Sequence, residues 1–294
     1  MIKLNKEGCN RAHELVDVSV MLSIATIDDP IDFLRNGDAK TATLDIETMD
    51  SKALKLWNEP VISYAVSFLS GSLDRLHCPT FSSIAENLGE ETSLLSQVIG
   101  ILRICKERGI TLCGHNINCL HEHVPTVARW SEGYDLPKII KRADCYRLDG
   151  GFISTLKTFD TMDLAVVSYD HSQHNHSLSS GEKQRVLGLP CLESDLNIIR
   201  PDGQEKLGSR IREIYTNYLR TREQAKLREI MLYNCVDCIS ESLVSKIFVL
   251  CVNECGLCNR LVPPRNRCNR IPSEFRIGEM IEWKQLSGSK LTRD

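Results

Sequence analysis

The sequence predicts an α/β domain built on a mixed β-sheet. Strand-like segments at 41–47 and 60–68 precede a long stretch in which apolar strands and helical periodicities alternate. The apolar stock suffices for one sizeable core, with 42% of the 294 residues hydrophobic and 26% charged. No stretch approaches the ~20 apolar residues of a membrane span; the longest candidate, 247–252, reads as part of a buried helix.

Residues 1–40 read as an N-terminal extension with one or two short elements, punctuated by the turn signals Asp28-Asp29-Pro30 and Asn36-Gly37-Asp38. The first strong strand covers 41–47. A second covers 60–68, and Gly71 turns it towards a third near 73–78. Apolar residues at Leu94, Leu95, Val98, Ile101, Leu102 and Cys105 predict a helix over 90–108, followed by a short buried strand at 110–114. Another helix is expected to start near Asp135-Leu136-Pro137, with Pro in its first turn and Lys138, Lys141 and Arg142 further along, as helix polarity favours. Residues 159–167 supply a further apolar stretch and 168–208 are polar and poorly periodic. Two helices are expected at 209–218 and 222–254.

The formal net charge is −3, so any nucleic-acid contact must use a local basic patch or bound cations rather than the whole molecule. The thirteen cysteines are odd in number and scattered through apparent core elements, among them Cys105, Cys113, Cys145, Cys235 and Cys238. Residues 1–7 lack the apolar stretch of a secretory signal. The expectation is an intracellular protein (cytoplasmic or nucleoid/nuclear), not secreted, whose thiols serve as small buried hydrophobes.

Chemistry concentrates at two motifs. Thr43-Leu44-Asp45-Ile46-Glu47-Thr48 sets two carboxylates one residue apart on a strand, hence on one sheet face. Far downstream, Tyr233 and Asp237 stand one helical turn apart, putting a phenol and a third carboxylate on one helix face. Crowded carboxylates repel unless a cation sits between them. Phosphodiester hydrolysis by two divalent ions needs such a set of hard oxygen ligands. A phenol with a reference pKa of ~10 suits positioning the attacking water better than deprotonating it.

These motifs, with Pro60-Val61-Ile62-Ser63-Tyr64-Ala65, resemble the proofreading exonuclease domain of family B DNA polymerases, over about residues 41–256. That domain is a DEDD-type 3′–5′ exonuclease of the tyrosine subclass, in the RNase H-like superfamily. No polymerase palm motif is read. The resemblance implies an RNase H-like mixed sheet flanked by helices on both faces. It also implies two Mg²⁺ or Mn²⁺ ions and hydrolysis at the 3′ ends of single-stranded or frayed DNA. Asp45, Glu47, Asp135 and Asp237 would hold the metals, Tyr233 would orient the water, and Thr48, Asn116 and Tyr134 would border the nucleotide. The alternatives are a 3′–5′ exoribonuclease, or a catalytically impaired nucleic-acid-binding homologue.

The impaired alternative arises because the family's middle motif is interrupted. Gly114-His115-Asn116-Ile117-Asn118 matches its first half, but Cys119-Leu120-His121-Glu122 follows where an aromatic-Asp pair is expected. Tyr134-Asp135-Leu136-Pro137 matches the second half. Omitting 119–132 joins the halves, which assigns the middle carboxylate to Asp135. A contiguous reading puts His121 there instead, and a neutral imidazole is a poor Mg²⁺ ligand. The insertion reads as a tolerated surface loop, a flap with His123 or Trp130 stacking on a base, or a translated intron. Asp160 and Asp163 are expected to be structural or supporting groups.

Three lesser signals remain. Cys251, Cys255, Cys258 and Cys268 have partial zinc-ligand spacing for a structural Zn²⁺. His171, His174 and His176 lie in a polar loop. Residues 257–294 form a basic C-terminal tail with Arg260, Arg265, Arg267, Arg270 and Arg276, suited by charge to tracking phosphates.

Overall fold

A computed structural model describes residues 19–26, 29–49, 58–69, 77–117, 134–162, 188–201, 204, 207–255 and 274–277. Its strands are β1 (Ser19–Thr26), β2 (Thr41–Thr48), β3 (Val61–Ser67), β4 (His77–Ile84), β5 (Thr111–Gly114), β6 (Thr158–Asp160), β7 (Ile198–Ile199) and β8 (Glu274–Ile277). Its helices are α1 (Pro30–Asn36), α2 (Glu91–Arg108), α3 (Asp135–Cys145), α4 (Leu189–Leu196), α5 (Ile211–Thr221) and α6 (Gln224–Cys255). The strands form one mixed sheet in the order β6-β5-β2-β3-β4-β1-β8-β7. The β2–β3–β4 meander is antiparallel, while β5 and β6 extend the β2 side in parallel.

Strand alternation sorts β2 between two cores. Ala42, Leu44 and Ile46 pack with Leu94, Leu95, Val98 and Leu102 of α2 on one face. Thr43, Asp45 and Glu47 therefore project from the opposite face, which α6 covers. Helix α2 follows the expected apolar spacing and ends where Gly109 adopts φ 65. Helices thus lie on both faces of the sheet.

Helix α6 is buried continuously from Asn234 to Ser245, and polar pairing fixes its register on β2 and β3. Thr43 Oγ1 lies 2.6 Å from Ser242 Oγ, which lies 2.8 Å from Ser67 Oγ. Ser67 Oγ also donates to Cys238 O, and the single Cys238 S–H is shared between Thr43 O at 3.3 Å and Ala65 O at 3.2 Å. Their mutual hydrogen bonds offset the desolvation cost of burying these small polar groups. They hold Asp237 on the turn of α6 that faces Asp45.

Some elements depart from expectation. The third strand runs His77–Ile84, later than 73–78. Its buried positions include Thr80 and Ser82, whose hydroxyls donate to Cys78 O and Tyr64 O, so hydropathy does not reveal them. Strands β1 and β8, from the stretches read as extension and tail, pair with each other and lengthen the sheet beyond β4. Cys145 is exposed, not part of the core, because it ends α3 on the side away from Ala143. The free thiols of Cys78, Cys105, Cys113, Cys235 and Cys238 are buried, and burial pushes Cys78 and Cys113 up to about 11. Lys138 is fully buried, since it shares the inward face of α3 with Asp135 one turn earlier. Among the described residues, no helix is long and apolar enough to cross a membrane.

Candidate metal centre

The carboxylates of Asp45, Glu47 and Asp237 converge, each offering an oxygen within 4.8 Å of the others. Asp45 and Glu47 come from the end of β2, where a register shift against β3 falls between Glu47 and Thr48. Asp237 comes from the packed middle of α6. Asn234, almost one turn before Asp237, donates from Nδ2 to Asp45 Oδ2 at 2.6 Å and fixes that carboxylate's orientation.

Asp135 is the first residue of α3 and is buried, its Oδ2 without a hydrogen-bond partner among the described residues. The helix N-terminus favours a negative group there. The residues bordering the insertion close on each other: Tyr134 N–H donates to Asn116 O at 2.6 Å and Leu136 N–H to Ile117 O at 3.1 Å. The turn depends on Gly114, where a Cβ would stand 2.7 Å from Ile117 Cβ, and on Asn116, which adopts φ 66. Asp160 Oδ1 accepts from the Asn116 and Met162 backbone N–H groups. Thr48 Oγ1 and Tyr134 Oη lie 2.8 Å apart, joining the end of β2 to the start of α3. Asp135 stands outside the Asp45–Glu47–Asp237 group but near enough for the charges of Asp45 and Asp237 to act on it, and Tyr233 hydrogen-bonds Asp237.

Electrostatics are unfavourable in a way that a cation would relieve. At an effective dielectric constant near 20, two unit charges 4.8 Å apart repel by about 3 kcal/mol. Burial raises Asp45 well above the usual carboxylate range, and the charge of Asp237 raises it further. Burial also raises Asp135, with Asp45, Asp160 and Asp237 adding to the effect. Burial raises Asp237 too, while Arg200 and a hydrogen bond from Tyr233 oppose the shift. The Tyr233 phenol is pushed upward by burial and by the charges of Asp237 and Glu47, so it stays protonated.

The donor set fits a hard divalent ion. Its groups are carboxylate oxygens on rigid elements, and Asp135 Oδ2 is buried without a hydrogen-bond partner among the described residues. The sequence reading missed several neighbours. Glu241, one turn after Asp237, is a buried carboxyl raised by burial and by Asp45, Asp135 and Asp237; its helical spacing was a readable signal. Arg200 and Glu193 form a buried ion pair beside Asp237. Gly208 accommodates Tyr233, since a Cβ there would lie 2.6 Å from Tyr233 Oη. No sequence pattern marks these last three.

Several other candidates lie wholly or partly outside the described residues. Cys251 and Cys255 belong to the final turns of α6, but Cys258 and Cys268 are not described. His121, His123, Trp130, Asp163, His171, His174, His176 and most of the basic tail are likewise not described.

No curated protein matches the chain. A model of the RNase H superfamily matches residues 74–249, more than half of the chain. The matched stretch contains Asp135, Tyr233 and Asp237, while Asp45 and Glu47 precede it. The superfamily implies a nuclease, and the acidic cluster accords with the divalent metals such enzymes use. By its family match, and with a mixed sheet carrying helices on both faces, the chain belongs to the RNase H superfamily.

Proposed function

We propose that the protein is a metal-dependent 3′–5′ exonuclease of the DEDD tyrosine subclass, acting on single-stranded or frayed DNA 3′ ends. The carrying observation is the convergence of Asp45, Glu47 and Asp237 with Tyr233 one turn from Asp237. Asp45, Glu47, Asp135 and Asp237 would hold two Mg²⁺ or Mn²⁺ ions. Such ions activate a water and stabilise the leaving 3′ oxygen. Asn234 keeps Asp45 oriented through its 2.6 Å hydrogen bond. Tyr233, neutral at working pH, orients the attacking water through its hydroxyl. Thr48 and Tyr134, held together at 2.8 Å, border the terminal nucleotide with Asn116. The reaction adds water across the P–O3′ bond, releasing a nucleoside 5′-monophosphate and a shortened strand with a free 3′-hydroxyl.

The test is degradation of 5′-labelled single-stranded DNA and RNA with Mn²⁺ or Mg²⁺, beside Asp45→Ala and Asp135→Ala variants. The expected result is stepwise shortening of DNA from the 3′ end, abolished in both variants. Faster degradation of RNA would replace the substrate. Activity retained by Asp135→Ala would overturn the ligand assignment. Binding without metal-dependent cleavage by the parent would identify an impaired homologue.

A further inference from the structure

Arg200 is a buried cation that touches the carboxylate cluster from outside the expected motifs. It follows β7, whose Ile198 and Ile199 pair with Phe275 and Arg276 of β8. Its side chain and that of Glu193 are each 6% exposed. Arg200 Nε donates to Glu193 Oε1 and Oε2 at 2.8 and 2.9 Å, and Nη2 lies 2.7 Å from Oε1. That pair balances the guanidinium charge and occupies its Nε–Nη2 edge, while Nη1 donates to Gln204 O at 3.5 Å. Yet the same Nη2 also lies 2.5 Å from Asp237 Oδ1, and the guanidinium carbon sits 5.6 Å from the centre of the Tyr233 ring.

One cation is thus shared by two buried carboxylates, Glu193 and Asp237. Through the Asp237 contact, a unit positive charge that cannot be lost at working pH is tethered to an oxygen suited to a divalent ion. We infer that Arg200 is a built-in counter-ion of the metal centre, competing with the divalent ion for Asp237 and setting its affinity, while Glu193 holds Arg200 and moderates its charge. The inference rests on the metal-centre reading above. It assigns Arg200 a positioning role, acting through Asp237 rather than on the substrate.

Competition and simple support predict opposite signs. If Arg200 merely props Asp237, removing it weakens metal binding. If it competes, removing it leaves a more negative cluster that binds the ion more tightly. Neutralising Glu193 works the other way, by freeing the charge of Arg200.

Mn²⁺ binding to the full chain without nucleic acid, read from the paramagnetic resonance of free Mn²⁺, tests this. Arg200→Gln should bind Mn²⁺ about tenfold more tightly than the parent, Arg200→Lys within about threefold of it, and Glu193→Gln severalfold more weakly. Thermal unfolding identifies any variant that fails to fold; should Arg200→Gln do so, Arg200→Met, which fills similar volume without charge, is read in its place, with tighter binding again expected. Binding by Arg200→Gln no tighter than the parent's, tighter binding by Glu193→Gln, or no Mn²⁺ binding by the parent would overturn the inference. Strand degradation is measured separately, so a parent that binds Mn²⁺ without degrading DNA sinks the exonuclease reading while leaving the Arg200 comparison intact.

Discussion

Asp45→Asn should make the protein more stable without metal while abolishing metal-dependent cleavage. Asparagine is nearly isosteric and its carbonyl can still accept the Asn234 Nδ2–H, which reaches Asp45 Oδ2 at 2.6 Å. The change removes repulsion with Glu47 and Asp237, whose ligand oxygens lie within 4.8 Å, at about 3 kcal/mol per fully charged pair. The raised pKa of Asp45 means that part of this repulsion is already relieved by protonation, and the nearby Arg200 offsets more. A net gain of about 2 kcal/mol remains, or roughly 4–8 °C in Tm. Thermal unfolding with excess chelator at neutral pH measures it. Adding Mn²⁺ should raise the parent's Tm by mass action but leave the variant's nearly unchanged. Loss of a metal ligand should lower the cleavage rate by about a thousandfold, equivalent to several kcal/mol. A variant that melts at or below the parent in chelator, or keeps more than about a tenth of its activity, would refute the picture of a repulsive cluster built around a cation.

Other expected outcomes follow from the same contacts. Asp45, Asp135 and Glu241 bind protons more readily folded than unfolded, so their stabilising contribution is full below the ordinary carboxylate values of 3.8 and 4.5. It is lost as pH rises through their elevated folded values; the Tm advantage of Asp45→Asn over the parent in chelator should widen with pH, and a constant gap would contradict this. Gly208→Ala would put a Cβ 2.6 Å from Tyr233 Oη. It should slow cleavage at least tenfold by displacing the phenol, with Mn²⁺ affinity within about threefold of the parent; an unchanged rate would show that the Tyr233 position is immaterial. Glu91 is 1% exposed and accepts from Val61 N, Arg142 Nε and Nη2, and Tyr146 Oη. Glu91→Ala should cost about 3–5 kcal/mol in denaturant unfolding by stranding Arg142, and a loss below about 1 kcal/mol would show that this ion pair does not hold α2, α3 and β3 together.

The sequence by itself determined the elements whose signal is local. Alternation along 41–47 placed Asp45 and Glu47 on one face, because successive strand residues point to opposite sides. Helical spacing put Tyr233 and Asp237 one turn apart, and apolar periodicity found α2. The boundaries of α5 and α6 shifted by only one to three residues from expectation.

Tertiary structure alone decided what depends on distant segments meeting. Strands β1 and β8 are far apart in sequence and joined through backbone pairing, which no side-chain pattern encodes. The polar buried face of β4 is hidden from hydropathy because its hydroxyls bond backbone carbonyls. The convergence of Asp45 with Asp237 depends on the Thr43–Ser242–Ser67 contacts that seat α6 on the sheet. Arg200, Glu193 and Gly208 became visible only as neighbours of Asp237 and Tyr233. The sequence located the carboxylates; folding determined the charges and close contacts around them, because those interactions depend on separation in space rather than on separation along the chain.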